Sequence, residues 1–207
     1  MAYLCGLDLG QAQDYSALVI IEAHETPAVY DLRELRRFAL GTPYPAIVTA
    51  VQSLLATAPL TRQCPLVVDA TGCGRPVVDM FRRVPPGGLP TGPVVAISIH
   101  GGDTVQHDGV NWRVPKRDLV GVLQVLLQQQ RLRIARRLPE AETLVQELLN
   151  FRVTIDPRTA HDSYAAWREG QHDDLVLATA LACWWGETHP PVPIVSAGGA
   201  TQRSPWR

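Results

Sequence analysis

The stretch YLCGLDLG, residues 3–10, decides how the rest of the chain is interpreted. The apolar residues on both sides of Asp8 predict a short buried strand, and Gly10 permits a sharp turn at its end. A lone carboxylate among apolar side chains is unfavourable unless a cation, a hydrogen-bond donor or a metal ion pairs with it. Asp8 therefore either caps the following turn through its side chain or belongs to a larger polar site.

Acidic residues stand at the edge of an apolar element in two further stretches. LVVDATG, residues 66–72, is an apolar run that ends in an Asp and a Gly turn. HDDLVLA, residues 172–178, sets two adjacent carboxylates at the start of an apolar helix. Independent caps explain one or two such positions, but three favour one shared cluster. Its members would be Asp8, Asp69, Asp173 and Asp174.

Composition limits the functions to be considered. A chain of 207 residues fits one well-buried domain, and a net charge of −1 gives no overall argument for a nucleic-acid partner. Local charge is uneven, and each basic group is either a solvated helix face or a phosphate-binding patch. The first group comprises Lys116, Arg117, Arg131, Arg133, Arg136 and Arg137, and the second Arg33, Arg36 and Arg37.

The four cysteines show no C-x-x-C spacing, and no secretory signal precedes them. We therefore expect neither disulfides nor a zinc site, and a reducing cytoplasm is the simplest location. No apolar run reaches the ~18 residues that a membrane helix needs, so we expect a soluble protein without a membrane partner.

The order of elements predicts an α/β fold with a mixed central sheet flanked by helices. We expect an antiparallel meander of three strands, then helix, strand, helix, strand, hairpin and three helices, an order that matches the RNase H-like fold. The expected strands span residues 3–9, 16–22, 29–40, 64–70 and 94–99, with the hairpin at 105–114. The expected helices span residues 44–58, 75–84, 116–130, from 139 onward, and 173–185.

Three details complete the predicted organisation. In the helix from residue 139, Leu144, Val145, Leu148 and Leu149 are expected to face the core. Residues 152–155 are a candidate strand, and residues 156–170 read as irregular. We expect a nuclease-like domain over residues 1–188 and a flexible tail rich in Pro, Gly and Ser over residues 189–207.

In such a fold, Asp8 and Asp69 would leave neighbouring parallel strands, and the helix from Asp173 would present its first turn to both. Clustered carboxylates repel and raise each other's pKa, and no basic side chain lies near them in sequence to neutralise them. Two Mg²⁺ or Mn²⁺ ions would relieve the repulsion. Such a pair, about 3.5–4 Å apart, can activate water and stabilise the leaving oxygen of a phosphodiester.

The chain resembles the nuclease domain of the large terminase subunit of tailed bacteriophages, a RuvC-like branch of the RNase H-like fold. Five pieces match in order: GLDLG at residues 6–10, VDATGCG at 68–74, KRDL at 116–119, LxxEL at 144–148 and HDDLVxA at 172–178. The resemblance implies a metal-dependent endonuclease that cuts concatemeric duplex DNA during viral genome packaging. Its catalytic and metal-binding residues would be Asp8, Asp69, Asp173 and Asp174, with Mg²⁺ or Mn²⁺ as cofactor.

The resemblance also implies partners and a location. The partners would be double-stranded DNA and a packaging ATPase, a small terminase subunit or a portal, in the host cytoplasm. We assign phosphate binding to Arg131, Arg133, Arg136 and Arg137. His172 is either a metal ligand, a group that orients a carboxylate or simple helix packing, and Lys116 is either a phosphate contact or a solvated lysine.

One departure from the family is plain. A full terminase carries an ATPase motor with a phosphate-binding loop, and no G-x-x-x-x-G-K-[ST] stretch occurs here. The chain is therefore an excised domain, the product of a split gene or a stand-alone relative. A RuvC-type Holliday junction resolvase and a module that binds DNA or a packaging partner without catalysis remain alternatives. An actin-like ATPase would need a second phosphate loop and a larger, duplicated body.

Overall fold

The computed structural model describes residues 2–10, 14–24, 26–72, 74–83, 92–151 and 172–190, and the backbone of 153–155 and 162–164. The strands are β1 Ala2–Asp8, β2 Ala17–His24, β3 Val29–Arg37, β4 Leu66–Asp69, β5 Val94–His100, β6 Gln106–His107, β7 Asn111–Pro115, β8 Leu132–Arg133, β9 Val153–Ile155 and β10 Asp162–Tyr164. The helices are α1 Tyr44–Leu55, α2 Gly74–Arg82, α3 Lys116–Gln128, α4 Ala141–Asn150 and α5 Asp174–Thr188.

Eight of the described strands form one mixed sheet, in the order β6-β7-β5-β4-β1-β2-β3-β8. The meander β1-β2-β3 is antiparallel, because its connections are too short for crossover helices. β4 pairs in parallel with β1, β5 with β4, and β7 with β5. The predicted α/β architecture with a mixed sheet flanked by helices is confirmed.

Side chains that alternate across the strands fill two separate cores. On one face, Leu4 of β1 and Val67 of β4 pack beneath α3, α4 and α5. On the other face, Leu7 of β1 and Val68 of β4 pack beneath α1 and α2. Both central strands are therefore buried on both sides, which explains why they read as nearly continuous apolar runs.

α5 crosses β1 in the antiparallel sense, and glycines allow its close approach. A Cβ on Gly6 would lie 1.9 Å from the carbonyl oxygen of Ala178, so no side chain fits there. Near the other end of the helix, a Cβ on Gly186 would lie 2.7 Å from Leu4 Cδ1. The first turn of α5 therefore lies toward the carboxyl end of β1, where Asp8 stands.

The structure corrects two local expectations and adds a strand that the sequence did not predict. Leu149 is 70% exposed and Val145 is exposed too, because α4 turns Leu144 and Glu147 to the core. Residues 162–164 form a strand paired with β9, so residues 156–170 are not irregular throughout. β8 was not predicted, because two residues carry no periodicity.

Two expectations concern parts of the chain that the structure covers only in part. The predicted tail falls largely on residues 191–207, which lie outside the described residues, so the domain boundary stays a prediction. Within the described residues, no helix is both long enough and apolar enough to cross a membrane.

Candidate active site

Asp8 and Asp69 end adjacent strands in register. Gly6 pairs with Val67 and Leu7 with Val68, so the next residues along the two strands are Asp8 and Asp69. Because side chains alternate along a strand, Asp69 shares the face of Val67 and Asp8 shares the face of Gly6. Both carboxylates therefore lie on the face covered by α5, close enough for the charge of Asp69 to raise the pKa of Asp8.

α5 brings a third carboxylate to this pair. Asp174 lies one turn before Ala178, about 6 Å along the helix, and Asp8 lies two residues beyond Gly6, about 7 Å along the strand. Since Ala178 rests on Gly6, these two offsets bring Asp174 to Asp8. Both side chains are buried, with 7% of Asp8 and 4% of Asp174 exposed.

Burial and mutual repulsion make this group of carboxylates hard to ionise. Burial raises the pKa of Asp8 well above its usual range, and the charges of Asp69, Asp174 and Asp173 raise it further. Burial also raises the pKa of Asp69, although hydrogen bonds from Thr71 oppose the shift. The pKa of Asp174 rises to about 6 through burial, against the opposing charge of Arg37. The site holds more negative charge than its surroundings neutralise.

Cations nevertheless approach two of the carboxylates through space. Lys116 Nζ lies 3.3 Å from Asp173 Oδ2, and an Arg37 guanidinium nitrogen lies 3.4 Å from Asp174 Oδ2. No cationic side chain lies near these residues in sequence, as noted above, but the fold brings two such side chains close in space. β3 and α3, distant in sequence from α5, supply both charges.

Carboxylate oxygens are the ligands that Mg²⁺ and Mn²⁺ prefer, so the donor chemistry of the site fits such ions. Within the described residues, however, no three His, Cys, Asp or Glu side chains are arranged to hold one ion together. Asp173 and Asp174 face Lys116 and Arg37, and Asp69 Oδ1 accepts the Thr71 N–H at 2.7 Å. A bound ion would have to displace some of these internal contacts.

Glu147 of α4 supports the site and was not predicted as a site residue. Its Oε2 accepts the backbone N–H groups of Leu175 and Val176 at 3.0 and 3.1 Å. Its Oε1 accepts a short hydrogen bond from Arg37. Glu147 therefore satisfies the free N–H groups at the start of α5 and fixes the turn that carries Asp174. Burial raises its pKa to about 7, although Arg37 and the two N–H groups oppose the rise.

The two accessory candidates lie beside the cluster. His172 Nδ1 is 3.8 Å from Asp174 Oδ2 and 3.9 Å from Asp14 Oδ1, which is longer than a hydrogen bond. Its ring packs edge-on against Tyr15, with 4.9 Å between the ring centroids. Lys116 is engaged by Asp173 rather than free in solvent.

Arg131 and Arg133, two of the four arginines assigned to DNA binding, do not lie beside the carboxylates. In the backbone register of the sheet, Arg133 of β8 is aligned with Asp31 of β3. Asp31 is aligned with Glu22 of β2, and Glu22 is aligned with Tyr3 of β1. Tyr3 is five residues before Asp8, about 16 Å away along the strand. Arg131 is also committed elsewhere, because its guanidinium binds both carboxylate oxygens of Glu187 at 2.9 and 2.7 Å. Arg136 and Arg137 are exposed in the connection to α4.

Solved structures of viral terminases share this fold. The large terminase nuclease from thermophilic phage G20c gives a TM-score of 0.59 at 21% identity, over 87% of this chain and 80% of that one. The Mn-soaked human cytomegalovirus terminase nuclease domain gives 0.57 at 12% identity, over 88% and 82%. The large terminase nuclease domain from bacteriophage SPP1, with bound Mn, gives 0.52 at 11% identity, over 91% and 87%.

The fold is thus that of large-terminase nuclease domains, in agreement with the resemblance found in the sequence motifs. No protein-family model matches the chain, and a sequence comparison with curated proteins finds no match either. At these identities the similarity defines the architecture, and the chemistry has to be argued from the site.

Proposed function

We propose that the protein is a divalent-metal-dependent endonuclease that hydrolyses phosphodiester bonds of duplex DNA, as a terminase nuclease would. The observation that carries this proposal is the meeting of Asp8, Asp69 and Asp174 at one edge of the sheet. A fold has no structural need for three neighbouring carboxylates that repel one another, two of them buried and the third partly buried. Their grouping is understandable where cations are to be bound.

In this proposal Asp8, Asp69, Asp173 and Asp174 would hold the ions. A pair of Mg²⁺ or Mn²⁺ ions would supply an activated water and a counter-charge for the leaving oxygen. Glu147 positions the first turn of α5, and Arg37 limits the negative charge around Asp174. Lys116 adds a further positive charge beside Asp173, where it reduces the repulsion of an approaching phosphate.

The test is cleavage of supercoiled plasmid by the purified protein with Mg²⁺, Mn²⁺ or Ca²⁺, and with excess EDTA. We expect cleavage with Mg²⁺ or Mn²⁺, none with EDTA, and weak turnover at best with Ca²⁺, whose looser coordination positions water and phosphate less strictly. Full cleavage in excess EDTA would overturn the metal-dependent mechanism.

The two alternative functions predict different outcomes of the same assay. A junction resolvase would cut a four-way DNA junction and leave a linear duplex of the same sequence intact. A module without catalysis would bind duplex but cleave no substrate with any of the ions. We favour the nuclease because a surface that only binds DNA gains nothing from clustered negative charge facing phosphates.

A further inference from the structure

A polar cleft of about 480 Å³ lies on the face of the sheet opposite α5, between α2 and the β6-β7 hairpin. Its floor is formed by β5 and β7, and three arginines line it: Arg75, Arg82 and Arg113. No helix of the described chain covers β7 on this face, so the cleft is open to solvent. Its volume is in the range of ligand-binding sites.

The three arginines differ in what they already bind. Arg82 donates to the side-chain oxygen of Asn111 and to the carbonyls of Val94 and Val110, so it holds the hairpin to the sheet. Arg75 and Arg113 are exposed and have no hydrogen-bond or ion-pair partner among the described residues. Two guanidinium groups in the cleft are therefore available to an anion.

Two acidic residues also line the cleft, and they are not equivalent. Asp108 accepts hydrogen bonds from the backbone and side chain of Asn111 at 3.2 and 3.3 Å, so its charge is used within the hairpin turn. Asp79 has no such partner among the described residues. Among the arginine and aspartate side chains of the cleft, those available to a ligand are thus two guanidiniums and one carboxylate, which favours an anionic ligand.

The strand register sets the cleft at the same edge of the sheet as the carboxylates. In the backbone register, Asp69 of β4 is aligned with Ile97 of β5, and Ile97 is aligned with Trp112 of β7. Ser98 and Arg113 follow Ile97 and Trp112, so they lie one residue further toward this edge. Arg113 is two strand spacings from β4, about 10 Å. The side chains of Asp69 and Arg113 leave opposite faces of the sheet, so a duplex that contacts both has to lie across this edge.

We propose that Arg75 and Arg113 bind the phosphodiester backbone of a duplex that lies across the edge of the sheet at which Asp69 presents its carboxylate. The inference rests on the proposed nuclease function, and it relocates the phosphate-binding surface from Arg131–Arg137 to this cleft. The contacts are made to phosphates, so they give affinity and register without sequence preference.

The test compares two double substitutions that remove equal charge: Arg75→Gln with Arg113→Gln, and Arg133→Gln with Arg136→Gln. Affinity for a short fluorescein-labelled duplex of mixed sequence is measured by anisotropy with Ca²⁺ over a range of salt concentrations. We expect the cleft pair to weaken binding roughly tenfold or more and to lower the slope of log affinity against log salt by about 2. The second pair should change affinity by less than about twofold.

A third variant tests the sign of the effect. Asp79→Asn removes the uncommitted carboxylate from the cleft, so affinity should rise, by roughly threefold. All variants are checked for an unchanged melting temperature. The proposal is overturned if the cleft pair leaves affinity unchanged, or if the Arg133 and Arg136 pair accounts for the loss.

The same variants separate this inference from the proposed function. If the wild-type protein cleaves plasmid but the cleft pair binds duplex normally, the inference fails and the nuclease proposal stands. If no ion supports cleavage yet the cleft pair still loses duplex affinity, the nuclease proposal fails and the phosphate-binding cleft stands.

Discussion

The two ends of α5 both carry half-buried or buried charge, but they balance it differently. At the far end, Glu187 accepts hydrogen bonds from Arg131 and from the Tyr30 hydroxyl, and the Arg131 contact lowers its pKa. At the near end, Asp174 and Glu147 share one arginine, Arg37, and burial raises the pKa of both carboxyl groups. One end is neutralised within the fold, and the other is left negative.

This difference separates a structural charge network from a functional one. A guanidinium and a hydroxyl that both donate to one carboxylate stabilise its ionised form, so that carboxylate needs no further cation. Carboxylates that raise each other's pKa repel one another when they are ionised, and a bound cation removes this repulsion. The contrast therefore predicts which substitutions change activity and which change only stability.

The largest effect should follow from Asp8→Asn at the near end. Asn keeps the size and one acceptor oxygen but removes the charge, so cleavage should fall to background. The change also relieves repulsion with Asp69 and Asp174, so the melting temperature of the metal-free protein should hold or rise slightly. Plasmid cleavage and thermal unfolding, measured on the same preparation, check both parts.

The opposite result is equally clear. If Asp8 only caps the turn toward Gly10, the variant should lose about 1 kcal/mol of stability and keep its activity. An active but destabilised Asp8→Asn enzyme would therefore remove the basis of the proposed function.

Glu187→Gln is the matched substitution at the far end. Gln is isosteric but loses the charge-assisted bonds to Arg131, so we expect a loss of roughly 2 kcal/mol in the free energy of unfolding. Cleavage should stay within about twofold of wild type, because distant sites act independently. Chemical denaturation and plasmid cleavage test this, and a large loss of activity without a loss of stability would contradict the division between the two ends.

The sequence was informative where a residue's environment is set by its own strand. Asp8 and Asp69 each end an apolar run, and parallel neighbours necessarily bring such ends together. The same reasoning gave the antiparallel meander and the order of the long elements. It missed β8 and β10, because two or three residues paired by tertiary contacts leave no periodic signal.

The partners of the acidic residues were not predictable from local patterns. Arg37 reaches Asp174 from β3 and Glu147 reaches the first turn of α5 from α4, contacts between residues more than a hundred positions apart in one case. One signal existed for Glu147: it lies three residues after Leu144, on the buried side of an amphipathic helix. An acidic residue on that side predicts a buried polar contact.

The pH dependence of stability sharpens the contrast further. Asp174 and Glu147 have folded-state pKa values of about 6 and about 7, above those of the unfolded chain. The folded protein thus binds more protons, so its stability should fall as pH rises from about 4 to about 7. Glu187 has a lowered pKa, so its contribution is present above its unfolded pKa and is lost as the pH falls through its folded pKa.

In chelator, we therefore expect the melting temperature to be higher at about pH 5 than at about pH 8, by roughly 3 °C or more. Glu147→Gln should flatten this slope, since Gln does not titrate, whereas Glu187→Gln should leave it unchanged. Saturating Mg²⁺ should restore stability at the higher pH by binding the ionised carboxylates. A wild-type melting temperature that rises over this interval in chelator would show that the near-end carboxylates are neutralised after all.

The smallest expected effect is that of Tyr30→Phe, which removes one hydroxyl from the far-end network. The Tyr30 hydroxyl donates to Glu187 Oε1 at 2.7 Å, while Arg131 still donates to the same oxygen at 2.9 Å. The carboxylate therefore stays paired, and the loss should be about 1 kcal/mol. In a Glu187→Gln background the loss of stability caused by Tyr30→Phe should be smaller still, because the two groups act in one network. Denaturation of the four proteins in this cycle gives the coupling directly. Additive losses would mean that the hydroxyl acts through packing against Gly186 instead, and a drop in cleavage would mean that the far end of α5 takes part in catalysis.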